Sequence, residues 1–258
     1  MHLKYKFFKH YIMKFLFVYA VCFALVAVPK SKSYEDGFDE IIVISDLREK
    51  NISTAATSME IINSEVIERR KAQHIDTLLN TVANVNFASG ASRGRFVQIR
   101  GIGERSQFVE PINPSVGVLL DGIDISGTNG AALTLDLDRI EILRGPQGTI
   151  NGANALAGLI NLKSNRPEAI KSGKLKIGFG NYEARTIDGS YSIPISERSK
   201  FRIAVGRTLN NGFMSNDFLD RDNTNNIDES AIKSMFDWQP TDNLTMESTL
   251  LRLSLIHI

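Results

Sequence analysis

The segment from Arg139 to Leu162, RIEILRGPQGTINGANALAGLINL, decides how the middle of this chain folds. Two short apolar runs, residues 140–143 and 159–162, flank fifteen residues with four glycines, one proline and two asparagines. The apolar runs predict two strands, and Gly145-Pro146 predicts a sharp turn after the first. The glycine spacing matches neither a P-loop nor a dinucleotide fingerprint. Since glycine permits close backbone approach, the segment suits either a surface that docks against another part of the protein or a glycine-rich surface loop with no docking role.

Residues 51–167 show helical patterns near their beginning. Ile75, Leu78, Leu79 and Val82 recur at helical spacing and predict a helix over residues 75–82 with one apolar stripe. A second helix is predicted over residues 64–71, where either Asn63 or Ser64 can serve as the N-cap.

Strand patterns follow these helices. Residues 96–100 and 116–120 are strand candidates, and Asp121-Gly122 after VGVLL is a strong hairpin signal. Helices and strands mixed at this density predict a small α+β domain over residues 51–167.

The pattern of apolar and polar residues changes at residue 168. The segments KLKIGFG (174–180), TIDGSYSI (186–193) and FRIAVGRTL (201–209) alternate apolar with polar residues. Strands of about ten residues with one apolar face are what an outer-membrane β-barrel requires. A soluble antiparallel sandwich also alternates, but short turns such as SERSK (196–200) and a long polar loop (210–226) favour the barrel.

The predicted fold class is therefore an α+β domain, with a small mixed sheet and short helices, followed by the first antiparallel strands of a large transmembrane β-barrel. Residues 168–258 supply four or five strands of ~10 residues. A barrel wide enough to hold a plugging domain has ~22 strands. We therefore expect this chain to be the N-terminal part of a longer protein.

The N-terminus predicts export. Residues 1–33 contain six lysines and no acidic residue, and an apolar run over 15–28 precedes small residues at 31–33. This pattern predicts a signal peptide over residues 1–33; the alternative is a membrane anchor, for which ~20 apolar residues are needed. Cys22 is the only cysteine, so the mature chain can form neither a disulfide nor a thiolate metal site.

The charge of the remaining chain argues against a nucleic-acid partner. Removing these six lysines from the 30 basic residues leaves 24 against 29 acidic residues, a net charge near −5. No basic patch is evident. His74, between the two predicted helices, is interpreted as a surface or capping residue rather than a metal ligand, and we predict neither a metal site nor a cofactor.

Four motifs in order resemble those of the TonB-dependent outer-membrane receptors. DEIIVIS (39–45) resembles a TonB box, and FVQIRGIG (96–103) and VGVLLDGI (116–123) resemble plug segments. The strongest similarity is DLDRIEILRGPQGTINGANALAGLINLKSNRP (136–167), which resembles the end of a plug domain. The resemblance implies a signal peptide (1–33), a TonB box and linker (34–50), a plug domain (51–167) and an incomplete barrel (168–258). The linker before the box, residues 34–38, leaves no room for an additional periplasmic signalling domain.

The resemblance also implies three groups of site residues. Residues expected to bind TonB, by adding a strand to an exposed sheet edge, are Asp39, Glu40, Ile41, Ile42, Val43, Ile44 and Ser45. Residues expected to dock the plug against the barrel wall are Arg100, Gly101, Arg139, Glu141, Arg144, Gly145, Pro146 and Gly148. Residues at plug apices that are candidates for ligand contact are Arg105, Gln107 and Phe108.

The function implied is energised uptake of a scarce solute, most often a ferric siderophore in this family, across the outer membrane of a Gram-negative bacterium. The implied partners are TonB, a small solute such as a ferric chelate, and outer-membrane lipid. A soluble periplasmic binding or adaptor protein made of the plug alone is the alternative, although the outward apolar faces after residue 168 argue against it. An enzyme is not expected, because no G-x-S-x-G motif or acid–base pair can be placed.

Overall fold

The computed structural model describes residues 42–45, 48–51, 58–88, 96–105, 113–131, 133–148 and 154–257. The first two ranges form a two-stranded antiparallel sheet of β1 (Ile42–Ser45) and β2 (Arg48–Asn51). In this sheet Val43 pairs with Lys50 and Ile44 pairs with Glu49.

A mixed five-stranded sheet forms the centre of the α+β domain. Its order is β3 (Ser58–Asn63), β9 (Leu137–Arg144), β10 (Gly158–Ser164), β7 (Val116–Leu120) and β8 (Ile123–Asp124). The predicted strand pair of the opening segment is confirmed, since β9 and β10 pair antiparallel with Leu143 opposite Leu159. Strand β10 also pairs in parallel with β7. The sequence analysis did not predict β3.

Two helices follow β3. Helix α1 (Ser64–Arg69) is capped by Asn63, whose Oδ1 accepts a hydrogen bond of 3.0 Å from the Val66 N–H. Helix α2 (Asp76–Leu79) is shorter than predicted, because the following residues continue in turns; the Val82 N–H donates to the Leu79 carbonyl, three residues back. Within the part of the chain that the structure describes, no helix has the length and apolar character needed to cross a membrane.

A three-stranded antiparallel sheet follows these helices in the sequence. Its order is β4 (Val85–Ala88), β5 (Phe96–Ile99) and β6 (Ile102–Gly103). Arg100 and Gly101 turn between β5 and β6 with φ of 55° and 80°. The predicted hairpin between β7 and β8 is confirmed, because Asp121 and Gly122 have φ of 50° and 86°. Such paired positive φ values suit a two-residue turn that matches the twist of its strands. A 3₁₀ segment, Ser126–Ala131, follows.

The α+β domain is held together by an apolar core between the central sheet and the helices. Each of the four residues of the predicted apolar stripe, 75, 78, 79 and 82, is buried there. Gly158 permits close strand packing, since a Cβ at this position would lie 2.5 Å from the Leu143 carbonyl oxygen. The core includes Ile62, Ile67, Ile75, Leu78, Leu79, Val82, Ile99, Val118, Ile140, Ile142, Ile160 and Leu162.

The remaining strands form a second five-stranded sheet, here called the wall sheet. Its order is β11 (Ser172–Phe179), β12 (Arg185–Ser196), β13 (Ser199–Asn210), β16 (Ile227–Thr241) and β17 (Leu244–His257), all antiparallel. Tight turns join β12 to β13 and β16 to β17. The loop predicted over residues 210–226 contains a small hairpin of β14 (Met214–Asn216) and β15 (Arg221–Thr224).

The two faces of the wall sheet differ in polarity. One face exposes large apolar side chains, among them Leu175, Ile177, Ile187, Val205 and Ile232. The other face turns toward the α+β domain and buries polar side chains, namely Ser192, Arg202, Glu229 and Lys233. The predicted alternation is confirmed, and its apolar side faces outward, as a strand facing lipid requires.

Candidate functional site: the contact between the α+β domain and the wall sheet

Arg139, Glu141 and Asn161 form a polar group on adjacent strands of the central sheet. Arg139 Nε donates to Glu141 Oε1 at 2.8 Å, and Asn161 Nδ2 donates to Glu141 Oε2 at 2.9 Å. Burial alone would lower the pKa of Arg139, but hydrogen bonds and charge attraction from Glu141 and Asp138 outweigh it and raise that pKa. Because Glu141 is almost fully buried, this group fixes the register of β9 and β10.

Arg144 is also bound within the α+β domain. Its guanidinium forms an ion pair with Glu60 on β3, and its Nε donates to the Ala83 carbonyl at 3.2 Å. Gly145, with φ of 112°, starts the turn after β9, and Pro146 and Gly148 are exposed. The Arg100–Gly101 turn is exposed as well, and the Arg100 N–H donates to the Asn84 carbonyl.

The polar partners of the predicted docking arginines Arg139 and Arg144 described here therefore lie inside the α+β domain. The described part of the wall sheet supplies none of these partners, so their docking role stays a prediction. Contact with the wall sheet is made instead by residues that the sequence analysis did not single out.

The main contact is centred on Asp136, in the turn before β9. Arg202 on β13 donates to both carboxylate oxygens of Asp136 at 2.7 Å. The side chains of Arg202 and Asp136 are 8% and 7% exposed. The Asn165 side chain donates to the same carboxylate at 3.0 Å. A two-pronged arginine–carboxylate pair in this geometry is both strong and specific in direction.

Lys233 on β16 extends this contact. Its Nζ donates to the Leu135 carbonyl at 2.6 Å and to Ser164 Oγ at 2.7 Å. The residue is 3% exposed, so an ammonium group in this position requires such partners. The wall sheet thereby binds both the turn before β9 and the last residue of β10. We call Asp136, Arg202, Lys233 and Ser164 the anchor.

A second contact lies near the tight turns of the wall sheet. Arg166 pairs with Asp237 at 2.7 Å and with Glu247 at 2.8 Å. The Glu168 N–H donates to Ser192 Oγ at 2.7 Å. The connection between the two sheets is thus held to the wall sheet along its length.

The third contact joins helix α1 to the edge strand β11. Glu68 on α1 forms ion pairs with Lys174 and with Lys176, the latter at 3.1 Å. Burial would raise the pKa of Glu68, but hydrogen bonds and attraction from the two lysines outweigh burial and lower that pKa. The Lys174 and Glu68 side chains are 53% and 37% exposed, so this contact, here called the α1 bridge, lies close to solvent.

The predicted TonB-binding and ligand-contact residues are only partly described. Ile42, Val43, Ile44 and Ser45 form β1, whereas Asp39, Glu40 and Ile41 lie outside the described residues. Arg105 is exposed, and its Nη2 donates to the Gly101 carbonyl at 3.4 Å. Gln107 and Phe108 lie outside the described residues. The roles of both groups therefore stay predictions.

His74 is fully buried, so its interpretation as a surface residue is wrong. Its Nδ1 accepts a hydrogen bond from the Asp76 N–H at 3.3 Å, at the start of α2, which agrees with the capping interpretation. Among the residues that the structure describes, no group of three or more His, Cys, Asp or Glu side chains is arranged to hold a metal ion.

The anchor residues left only a weak signal in the sequence. Arg202 and Lys233 stand on the polar side of the strand alternation, where they appear as ordinary solvated charges. Their partner Asp136 is 66 residues from Arg202 in the chain. A long basic side chain on the inner face of a predicted barrel strand is the feature that would have indicated them.

In this chain an α+β domain is held by a buried ion pair and further polar contacts against the polar face of a sheet whose outer face is apolar, and this arrangement defines a class of protein. It is a plug domain seated on the inner wall of a membrane β-barrel. A family model described as the TonB-dependent Receptor Plug Domain matches residues 51–159.

Similar proteins agree with this class. The pesticin receptor of Yersinia pestis is 24% identical over 186 residues, which cover 71% of this chain and 27% of that receptor. The vitamin B12 transporter BtuB of Vibrio cholerae is 23% identical over 181 residues, covering 68% of this chain and 28% of the transporter. The crystal structure of the ferric yersiniabactin uptake receptor FyuA from Yersinia pestis aligns with a TM-score of 0.66 and 22% identity, covering 74% of this chain and 30% of that receptor.

Residues 51–159 therefore match a TonB-dependent receptor plug domain, and the similar proteins extend this likeness over 68% to 71% of the chain. These relatives are receptors and transporters, not enzymes. The chain spans 27% and 28% of the length of the two curated relatives.

Proposed function

We propose that the intact protein takes up a scarce solute across the outer membrane and that this solute is a ferric siderophore. The observation that carries the proposal is the anchor, which fixes a plug domain to the polar inner face of a wall whose outer face is apolar. A sheet with these two faces separates lipid from a polar lumen, and a plug in that lumen implies regulated passage.

The choice of solute class rests on similarity. One similar structure is a ferric yersiniabactin uptake receptor, and others are a ferric-catecholate import receptor and pyoverdine receptors. A vitamin B12 transporter is similar too, so cobalamin is the main competing cargo. In the proposed receptor Arg105, Gln107 and Phe108 contact the solute at the outer end of the plug.

The proposed energy input acts on residues 39–45. Among the described residues β1 pairs with β2 along one edge, and in the proposed mechanism a strand of TonB pairs along the other. Backbone pairing of this kind gives attachment without demanding a particular sequence. The proposed organisation is a signal peptide over 1–33, the TonB box and linker over 34–50, the plug over 51–167 and barrel from residue 168. In the closed barrel, Arg100, Gly101, Arg139, Glu141, Arg144, Gly145, Pro146 and Gly148 form the plug's docking surface.

The test is uptake by cells that produce the intact protein from its own gene. Cells are given iron-55 complexes of phenolate, catecholate and hydroxamate siderophores in turn, and cobalt-57 cyanocobalamin separately. We expect energy-dependent accumulation of one iron complex. Val43→Pro removes a backbone N–H from β1, so it should abolish uptake while binding at the cell surface persists. Val43→Ala is the matched control and should retain uptake.

Three outcomes separate the possibilities. Iron uptake that is lost in Val43→Pro but retained in Val43→Ala supports the proposal. Uptake of cyanocobalamin instead would retain the transporter and reject the siderophore. A protein that fractionates with the soluble periplasm and carries no solute would reject transport in favour of a plug-like binding protein.

A further inference from the structure

Two cavities lie between helix α1 and the wall sheet. Their volumes are about 280 Å³ and 360 Å³. Both are lined by Glu68, Lys174, Lys176 and Asp188, together with Leu135 and Asp136. Pockets for drug-sized ligands occupy ~300–1,000 Å³. A passage for an organic chelate would therefore require the two cavities to be joined.

The cavities follow each other along the strands of the wall sheet. The smaller one reaches the level of Ser172 and Arg202, which the strand register places near the tight turns. The larger one reaches the level of Gly178, Thr186 and Thr208, near the long loop. Six residues of β11 separate these levels, a rise of roughly 20 Å. Since barrel strands tilt by ~35–45° and the apolar band is ~25 Å tall, this rise corresponds to roughly 15 Å of height, more than half of the band.

Two contacts stand where the cavities meet. One is the α1 bridge, in which Glu68 pairs with Lys174 and Lys176. The other is the packing of Leu135 on Gly206, where an added Cβ would lie 3.0 Å from Leu135 Cδ1. Neither contact contains a backbone ladder, so side-chain movement alone can join the cavities.

The anchor borders the smaller cavity through Arg202 and Asp136 and differs in kind from the α1 bridge. Arg202 and Asp136 are buried and bound in a two-pronged pair, whereas the α1 bridge is partly exposed. The exposed α1 bridge can exchange its ion pairs for water at little cost, whereas separating Arg202 from Asp136 breaks two buried hydrogen bonds of 2.7 Å. The side of the plug that carries α1 therefore separates from the wall more readily than the side that carries β9 and β10.

We propose that the solute passes between helix α1 and strands β11–β13 and that the α1 bridge closes this route at rest. This inference rests on the proposed transport function. The lining carries both signs of charge and many hydroxyl groups, which suits a hydrophilic organic chelate with hydrogen-bonding oxygens. Glu68 is the gating residue, and the anchor stays in place while the route is open.

The first experiment compares two cysteines at the same height in the barrel. Ser190 on β12 and Ala204 on β13 are direct cross-strand neighbours. Ser190 lines the smaller cavity. Ala204 is buried beside Lys233 and is not among the residues that line either cavity. Ser190→Cys and Ala204→Cys are made in the intact protein and labelled in cells with a membrane-impermeant fluorescent maleimide. Labelling is measured with and without a protonophore.

We expect labelling of Ser190→Cys to rise severalfold in energised cells and labelling of Ala204→Cys to stay low. If both cysteines respond equally, the plug leaves the wall as a whole and the inference fails. It also fails if the labelling of Ser190→Cys is the same with and without the protonophore while Ser45→Cys, in the TonB box, still cross-links to TonB in an energy-dependent way. Loss of the Ser45 cross-link itself would reject the proposed function instead.

The second experiment tests the gate. Glu68→Gln removes the negative charge of the α1 bridge, and Glu65→Gln on the same helix removes the exposed pair with Arg69. Combined with Ser190→Cys, Glu68→Gln should raise labelling severalfold in protonophore-treated cells, whereas Glu65→Gln should leave labelling unchanged. Equal labelling in both variants would remove Glu68 from the gating role.

Discussion

The two five-stranded sheets bury different kinds of side chain where they face the rest of the molecule. The central sheet of the plug buries isoleucine, leucine and valine against its helices, and its two middle strands, β9 and β10, have no exposed residue. The wall sheet buries serine, arginine, lysine and glutamate against the plug and exposes its apolar residues. The middle strands of the central sheet are therefore covered on both faces, whereas the wall sheet has one covered polar face and one exposed apolar face.

The largest effect is expected where the two sheets meet. Arg202→Ala leaves the Asp136 carboxylate buried without its ion-pair partner, and breaking a buried pair in this way costs about 3–5 kcal/mol. We expect the plug of the purified intact protein in detergent to become sensitive to trypsin and its melting temperature to fall. Arg198→Ala is the matched control, since its pair with Asp242 is 56% and 86% exposed. An equally large fall in melting temperature in Arg198→Ala would contradict the special role of the anchor.

Replacing an exposed apolar residue with a charged one tests whether that residue faces lipid or water. Ile177 on the wall sheet and Ile123 in the plug hairpin are both 60% exposed. A lysine facing the middle of the bilayer costs about 2–4 kcal/mol, whereas a surface change in water stays within about 0.5 kcal/mol. We therefore expect Ile177→Lys, but not Ile123→Lys, to lower folding stability in lipid vesicles, measured by urea titration. Equal effects would mean that the outer face of the wall sheet does not contact lipid.

The smallest effect concerns the α1 bridge and depends on pH. The pKa of Glu68 is lowered below its ordinary 4.5 in the folded protein, so folding favours its charged form. The stability that the bridge contributes is fully present above the unfolded pKa and is lost as pH falls through the folded pKa. Partial exposure keeps this contribution small.

Calorimetry of the intact protein in detergent, at pH values from about 6 down to about 3, tests this dependence because the range spans the ordinary pKa of glutamate. Glu68→Gln should reduce the acid-dependent loss of melting temperature, and Glu65→Gln should reproduce the unmodified protein. An unchanged acid response in Glu68→Gln would show that the bridge does not contribute to stability.

Local features of the fold were accessible from the sequence. The Asp121-Gly122 turn, the Asn63 cap and the apolar stripe at residues 75, 78, 79 and 82 each depend on neighbours within a few positions. Strands β3 and β4 escaped prediction because their short mixed sequences, SMEIIN and VNFA, carry no clear alternation. Pairing with β9 and β5 makes them strands, and such pairing is set by tertiary contacts.

The candidate site was harder to predict for the same reason. Residue types suggested that Arg139 and Arg144 dock the plug, yet their partners Glu141 and Glu60 lie inside it. The arginine that does bind across the two sheets, Arg202, resembles any other polar residue of an alternating strand. A sequence shows which side chains can form ion pairs, whereas the choice among distant partners depends on the folded geometry.

The short connection between the two sheets limits how far they can part. Strand β10 ends at Ser164 and β11 begins at Ser172, so the seven intervening residues span at most roughly 25 Å when fully extended. A tether of this length holds the separated surfaces at an effective concentration in the millimolar range. Reassembly of the anchor after any excursion is therefore unimolecular, and its rate is independent of how many receptor molecules the membrane contains.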